Sequence, residues 1–186
     1  MMESKGVGIK DVPKVIKEIF GEENYQKWFD ALPQESKDIY GNKIKIVTWY
    51  PFKYAQFEPD RVILKLFYKG DVVKMKDYGK AVAKAIFTGV YKFFIRVGKP
   101  GFLIAQAGSM ASTMMRPVKM EVVDKQEKRV VVRYTEFPDM YESYEYKSAG
   151  VMQQILEMSG GKNVNVVLNS SIAKGDQYTE FTCTWE

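Results

Sequence analysis

Hydrophobic and polar positions follow two periods along this chain, and the change between them falls at Arg116-Pro117. Before it, apolar residues recur every three or four positions, as on a helix face; after it they recur every second position, as on a strand. Two short amphipathic helices are predicted over 12–20 and 24–32, split at Gly21, with Pro13 in a first turn and Asp11 as N-cap. Pro33 opens a third that ends near Gly41. The stretch 44–51 reads as a turn into a new helix, because the residue before Pro51 avoids helical backbone. Pro59 starts the next helix, through about Tyr68. The longest helix is predicted over 72–97. Met75, Gly79, Val82, Ile86, Gly89, Phe93 and Val97 repeat at heptad-like spacing, and Tyr78, Ala85, Phe87, Val90 and Phe94 widen the stripe. A helix so apolar is largely buried. Gly98-Lys99-Pro100-Gly101 ends it, and a weaker helix rich in small residues and methionine covers 102–115.

In the second half Val118, Met120 and Val122 alternate with Lys119 and Glu121, and Val130, Val132 and Tyr134 with Arg129 and Arg133; residues 124–128 make the hairpin turn. A helix over 144–158 is closed by Gly160-Gly161. Two more strands follow, one presenting Val164, Val166 and Leu168, the other Phe181, Cys183 and Trp185, with Lys174-Gly175-Asp176 in the turn. Strands with one apolar and one polar face belong to an antiparallel sheet covered on one side. The expected fold class is α+β: a helical N-terminal portion packed on one face of a four-stranded antiparallel sheet, the C-terminal half running hairpin–helix–hairpin. The whole chain, 1–186, is read as a single domain, helical over 10–115 and sheet-containing over 117–186.

Composition removes chemistry. There is no histidine and a single cysteine among the 186 residues, which excludes Ser–His and Cys–His catalysis, the usual zinc sites, histidine-ligated haem and an intramolecular disulfide. No apolar run approaches the roughly 20 residues that span a bilayer, and the first residues lack a signal-peptide core, so the cytoplasm is the expected location. The net charge is +5, carried mainly by lysine, since only Arg61, Arg96, Arg116, Arg129 and Arg133 are arginine. Lysine-rich surfaces are weak readers of bases, and no nucleic-acid partner is expected.

Three candidate features remain, each with a plainer alternative. Lys76, Lys80, Lys84, Thr88, Lys92 and Arg96 form a basic strip on the long helix; the plain reading is its solvated outer face. Met110, Met114 and Met115 lie among Ala105, Gly108, Ala111 and Ser112, and Met152 sits on another core element. Small residues leave space and thioethers adapt to irregular space, so this region could hold an apolar ligand; the alternative is an ordinary helix–helix core. Tyr141, Tyr144 and Tyr146 could form a lid, or pack on the sheet behind a cap at Asp139 or Ser143. Cys183, between Phe181 and Trp185, reads as a buried, inert thiol.

The chain resembles the superfamily of haem–nitric-oxide-binding domains, 4-vinyl-reductase-type domains and Golgi-tethering TRAPP subunits, most of all the standalone bacterial proteins related to the first. The carriers are Trp49-Tyr50-Pro51, the run Tyr141-Glu142-Ser143-Tyr144-Glu145, the stretch from Gly150 through Ile155-Leu156-Glu157, and Gly175-Asp176-Gln177-Tyr178-Thr179-Glu180-Phe181 with Trp185. The resemblance implies an α+β scaffold with a pocket between helices and sheet. Its haem-binding members grip the propionates with Tyr-x-Ser-x-Arg; this chain has Tyr141 and Ser143 but Glu145, a carboxylate that would repel them. They also ligate iron through a histidine on the helix before the first hairpin, here 102–115, which has none. Relatives that bind acyl chains or small apolar molecules use the apolar interior.

These readings combine into one expectation: a non-enzymatic small-molecule-binding or sensory domain with no cofactor. Phe87, Val90, Met110, Met114, Met115 and Met152 would line an apolar pocket for a fatty-acid-like molecule, with Tyr141 and Tyr144 at its mouth. The alternatives are an interaction or dimerisation module with a filled core, and a haem-based gas sensor with a non-histidine ligand. A cavity above about 300 Å³ separates the first two.

Overall fold

The computed structural model describes residues 1–88 and 100–186. The chain opens with strand β1 (Glu3–Lys5) and passes through a single helical turn, α1 (Gly6–Ile9), into α2 (Val12–Phe20), α3 (Glu22–Asp30) and α4 (Gln34–Tyr40). Gly21 separates α2 from α3 at φ +90°, a backbone that a side chain would strain. Pro13 lies in the first turn of α2, but Asp11 caps nothing with its side chain; its carboxylate faces Lys10 Nζ at 2.5 Å instead. After β2 (Trp49–Pro51), a π-helical turn over Lys53–Phe57 runs into α5 (Glu58–Leu66). The long helix starts as a 3₁₀ turn at Val72–Lys74 and continues as α6 (Met75–Thr88). Its predicted extension, with Val90, Lys92 and Arg96, lies outside the described residues. Then come α7 (Pro100–Ala105), α8 (Ala107–Met114), β3 (Met115–Arg116), β4 (Lys119–Gln126), β5 (Arg129–Glu136), α9 (Glu142–Met158), β6 (Asn165–Ser170) and β7 (Thr179–Thr184).

The four-stranded antiparallel sheet has the order β4-β5-β7-β6. Its register stacks Val130, Cys183 and Val166 in one row across three strands, and Val132, Phe181 and Leu168 in the next. All but Leu168 are buried, as the alternation predicts. The first hairpin is tighter than expected, pairing Gln126 with Arg129.

Three features differ from the expected layout. A second sheet, β2-β1-β3, ties the N-terminus to two distant segments; the 44–51 stretch ends in a strand of it. The predicted 102–115 helix is two helices that break at Gln106, and the backbone of α8 rests on β4: a Cβ on Gly108 would lie 2.2 Å from the Met120 carbonyl oxygen. The basic strip is not a free outer face. Lys76 donates to the Val166 carbonyl (3.0 Å) and Lys80 to Glu157 (3.0 Å), so two of its lysines join α6 to the C-terminal half.

Among the described residues two hydrophobic clusters fill the interior. One gathers Val15, Ile16, Trp28, Ile63 and Tyr78 from the N-terminal helices. The other gathers Phe52, Phe87, Ile104, Val132, Met152, Leu156, Phe181 and Trp185 around α9 and the sheet. Helix α6 belongs to both, with Met75 and Tyr78 in the first and Ala83 and Phe87 in the second. It crosses α9 at van der Waals limit: a Cβ on Gly79 would stand 2.1 Å from the Lys147 carbonyl oxygen, and one on Gly150 2.0 Å from that of Lys76. Gly79 therefore admits a backbone.

Cys183 Sγ sits 4.0 Å from Met152 Sδ, fully buried, and burial pushes the thiol up to about 12. Thiolate is the reactive form. A thiol-reactive chromophore at neutral pH should therefore leave the native protein unlabelled and modify one thiol per chain once urea unfolds it. Prompt labelling of native protein would mean that β7 is not covered.

Candidate functional site

A cavity of about 130 Å³ opens between α6, α8, α9 and the inner face of β4 and β5. Val82, Ile86 and Phe87 come from α6; Met110, Ala111 and Met114 from α8, with Met115 just after it; Tyr144, Lys147, Ser148, Val151, Met152 and Ile155 from α9. Of the expected lining, Phe87, Met110, Met114, Met115, Met152 and Tyr144 meet here. Val90 lies outside the described residues. Tyr141 does not line the cavity: its hydroxyl donates to Asp60 Oδ2 at 2.7 Å, and its ring packs edge-on against Phe57. The tyrosines thus form no lid. Tyr144 turns inward, its hydroxyl 2.8 Å from Met115 Sδ and its ring against Phe52 and Phe137. Neither Asp139 nor Ser143 caps α9, whose N-cap is Tyr141 with no side-chain bond. Asp139 instead accepts from the Met2 backbone N–H at 3.3 Å.

The wall is mostly apolar, with Ser4, Gln56, Lys147 and Ser148 among its polar residues. Lys147 is 6% exposed. Its Nζ donates to Gln56 Oε1 (2.9 Å) and to Asp60 Oδ2, and lies 4.5 Å from the centre of the Tyr144 ring. Asp60, also buried, accepts from both Lys147 and Tyr141. Burial pushes the Asp60 carboxyl up and the Lys147 ammonium down, and each charge partly holds the other in its ionised form. The paired geometry and the Tyr141 hydrogen bond favour the ion pair. The sequence reading missed this group, together with Ser4 and Gln56 on the same wall. A signal was present: Tyr144, Lys147, Ser148, Val151, Met152 and Ile155 follow the three–four spacing of a buried helix face, and a lysine in such a stripe needs a partner.

Glu145 has a structural use. Fully buried, it accepts from Ser171 Oγ (2.7 Å), Thr179 Oγ1 (2.5 Å) and the Ala173 backbone N–H (3.4 Å), fastening the first turn of α9 to the β6–β7 connection. In that connection Gly175 adopts φ +98°, and Asp176 accepts from the Ser171 backbone N–H and the Ser170 hydroxyl. Arg133 bonds Glu180 (2.7 Å) and stacks 3.8 Å over Tyr178. The Gly-Asp-x-Tyr-x-Glu-Phe run is therefore a structural motif that holds the last hairpin.

No protein-family model matches the chain, and no curated protein matches its sequence. Solved structures do. An H-NOX protein from S. oneidensis in its Fe(II)NO state superposes with a TM-score of 0.74, at 8% identity, over 98% of this chain and 99% of that one. The unliganded Fe(II) H-NOX protein from K. algicida gives 0.67 at 12% identity, over 98% and 96%. The fold is that of the H-NOX domains. At such identities the shared property is the fold alone, with its α+β layout. The chain offers no histidine to a haem iron, Glu145 is committed to the last hairpin, and the cavity is close to the ~150 Å³ space that holds a benzene.

Proposed function

We propose that this chain is a haem-free small-molecule-binding domain of sensory type, without catalytic chemistry, which takes a small apolar ligand into the cavity between α6, α8, α9 and the sheet. The observation that carries the reading is the cavity itself, lined by Met110, Met114, Met115, Met120 and Met152 together with the polar Gln56 and Lys147. At about 130 Å³ it falls below the 300 Å³ of a drug-sized site. The volume favours molecules about as large as benzene over a long fatty-acid chain. The same shortfall favours a second reading, an interaction or dimerisation module whose core is nearly filled.

Ligand binding to the folded state raises the melting temperature by mass action. A panel of small apolar compounds is expected to include members that do so, and Ala111→Phe, which fills the cavity, should abolish the shift. If no compound moves the wild-type transition and native mass spectrometry of protein from its own host finds no co-purified molecule, the interaction-module reading replaces this one. Hemin titration is the separate check. A saturable one-to-one Soret shift would restore the haem sensor with a tyrosine, methionine or cysteine ligand.

A further inference from the structure

Lys147 is the one ammonium on the cavity wall among the described residues, and its surroundings define what a ligand must offer. An ammonium carries three N–H donors. Among the described residues two reach oxygens, Gln56 Oε1 and Asp60 Oδ2; the other nearby groups are the rings of Tyr144, with its centre at 4.5 Å, and Tyr78, at 5.9 Å. The third donor thus has an aromatic face but no oxygen. Asp60 already balances the charge of Lys147, and Tyr141 already donates to Asp60. A ligand carboxylate would bring an unbalanced buried negative charge, which is costly. A neutral acceptor oxygen would take the spare donor with no change in net charge, while its apolar body lies against Met110, Met114 and Met152.

We propose that the cavity selects a small neutral molecule that joins a compact apolar body to one acceptor oxygen of the ketone or ester type, received by Lys147 Nζ. This rests on the ligand-binding reading above and names its ligand class. Hydrogen bonds to a charged donor are stronger than those to neutral ones, so the oxygen should raise affinity about tenfold or more over an isosteric hydrocarbon.

The test uses three probes of similar shape: cyclohexanone, methylenecyclohexane and cyclohexanecarboxylate. Binding is followed by backbone amide shifts of the full chain, and the Lys147 side-chain nitrogen is observed directly after nitrogen-15 labelling of lysine. The expected result is that cyclohexanone binds at least tenfold more tightly than methylenecyclohexane, the carboxylate binds least, and only cyclohexanone moves the Lys147 Nζ resonance. In Lys147→Met/Asp60→Asn, which removes both charges together, ketone and hydrocarbon should bind alike. Equal binding of ketone and hydrocarbon to wild type would overturn the anchor and leave the apolar cavity standing. Preference for the carboxylate would overturn the neutral class. Failure of all three probes to bind would overturn the ligand-binding reading itself. The lysine resonance decides the anchor in wild-type protein even where the double variant does not fold.

Discussion

Replacing Gly150 with alanine is expected to destabilise the fold by more than about 3 kcal/mol. Two effects oppose each other. Alanine is a better helix former than glycine by about 1 kcal/mol, which would stabilise α9. Its Cβ, however, would stand 2.8 Å from the Lys76 carbonyl carbon and 2.0 Å from its oxygen, the latter a full ångström inside the 3.0 Å that real Cβ contacts essentially never breach. The obstacle is the backbone of α6, which cannot rotate away as a side chain could. The two helices must separate, and the packing along their crossing loosens with them. A loss of this size lowers the melting temperature of a chain this long by about 6–12 °C or more. Gly79→Ala should behave alike, since its Cβ meets Lys147 oxygen at 2.1 Å. The double variant should cost less than the sum, because one separation relieves both clashes. A Gly150→Ala protein as stable as wild type would mean that helix propensity wins and that the crossing is looser than described.

Alkali is expected to unfold the protein abruptly above pH 10. Burial pushes the Tyr40, Tyr78 and Tyr144 phenols well above their ordinary range and Tyr134 to about 12. Each is at most 6% exposed. Their folded values lie above the unfolded value of 10.0, so the unfolded chain releases protons first. Their contribution is intact below pH 10 and is lost as pH rises toward the folded values. Each phenol held neutral in that window removes about 1.4 kcal/mol of stability per pH unit, and the four together on the order of 5. Cys183 acts in the same direction, between 9.0 and about 12. A typical stability of about 5–15 kcal/mol is then exhausted within roughly one to three pH units. Tyrosinate absorbance should therefore rise in two stages, exposed rings titrating first and buried ones appearing together with the loss of helical circular dichroism. A single smooth titration near pH 10 with the helical signal intact would contradict the burial of these rings.

How far the sequence carries depends on whether a feature is local. The local reading placed the amphipathic helix over 12–20 with its break at Gly21, and the sheet rows of Val130, Val132, Phe181 and Cys183, because each follows from neighbours within one element. It missed β1, whose three residues pair with Trp49–Pro51 and with Met115 and Arg116. No local pattern encodes a pairing across more than a hundred residues. The apolar half of the cavity was legible because methionine and alanine sit at helical spacing on α8, and Met152 on α9. Its polar cluster was not, because Gln56, Asp60 and Lys147 come from three segments and meet only after folding. Tyr141 was misjudged for the same reason, since its partner Asp60 lies 81 residues away.

The two cores each contain a tryptophan: Trp28, fully buried in the N-terminal cluster with its indole N–H on the Pro59 carbonyl oxygen, and Trp185, buried beside α9 and the sheet. The third, Trp49, lies in the small sheet between Arg116 and Lys5. With Trp49 changed to phenylalanine, the chain carries one intrinsic fluorophore per core. Variants keeping only one of the two would time the melting of each half separately, and so measure how tightly α6 couples them.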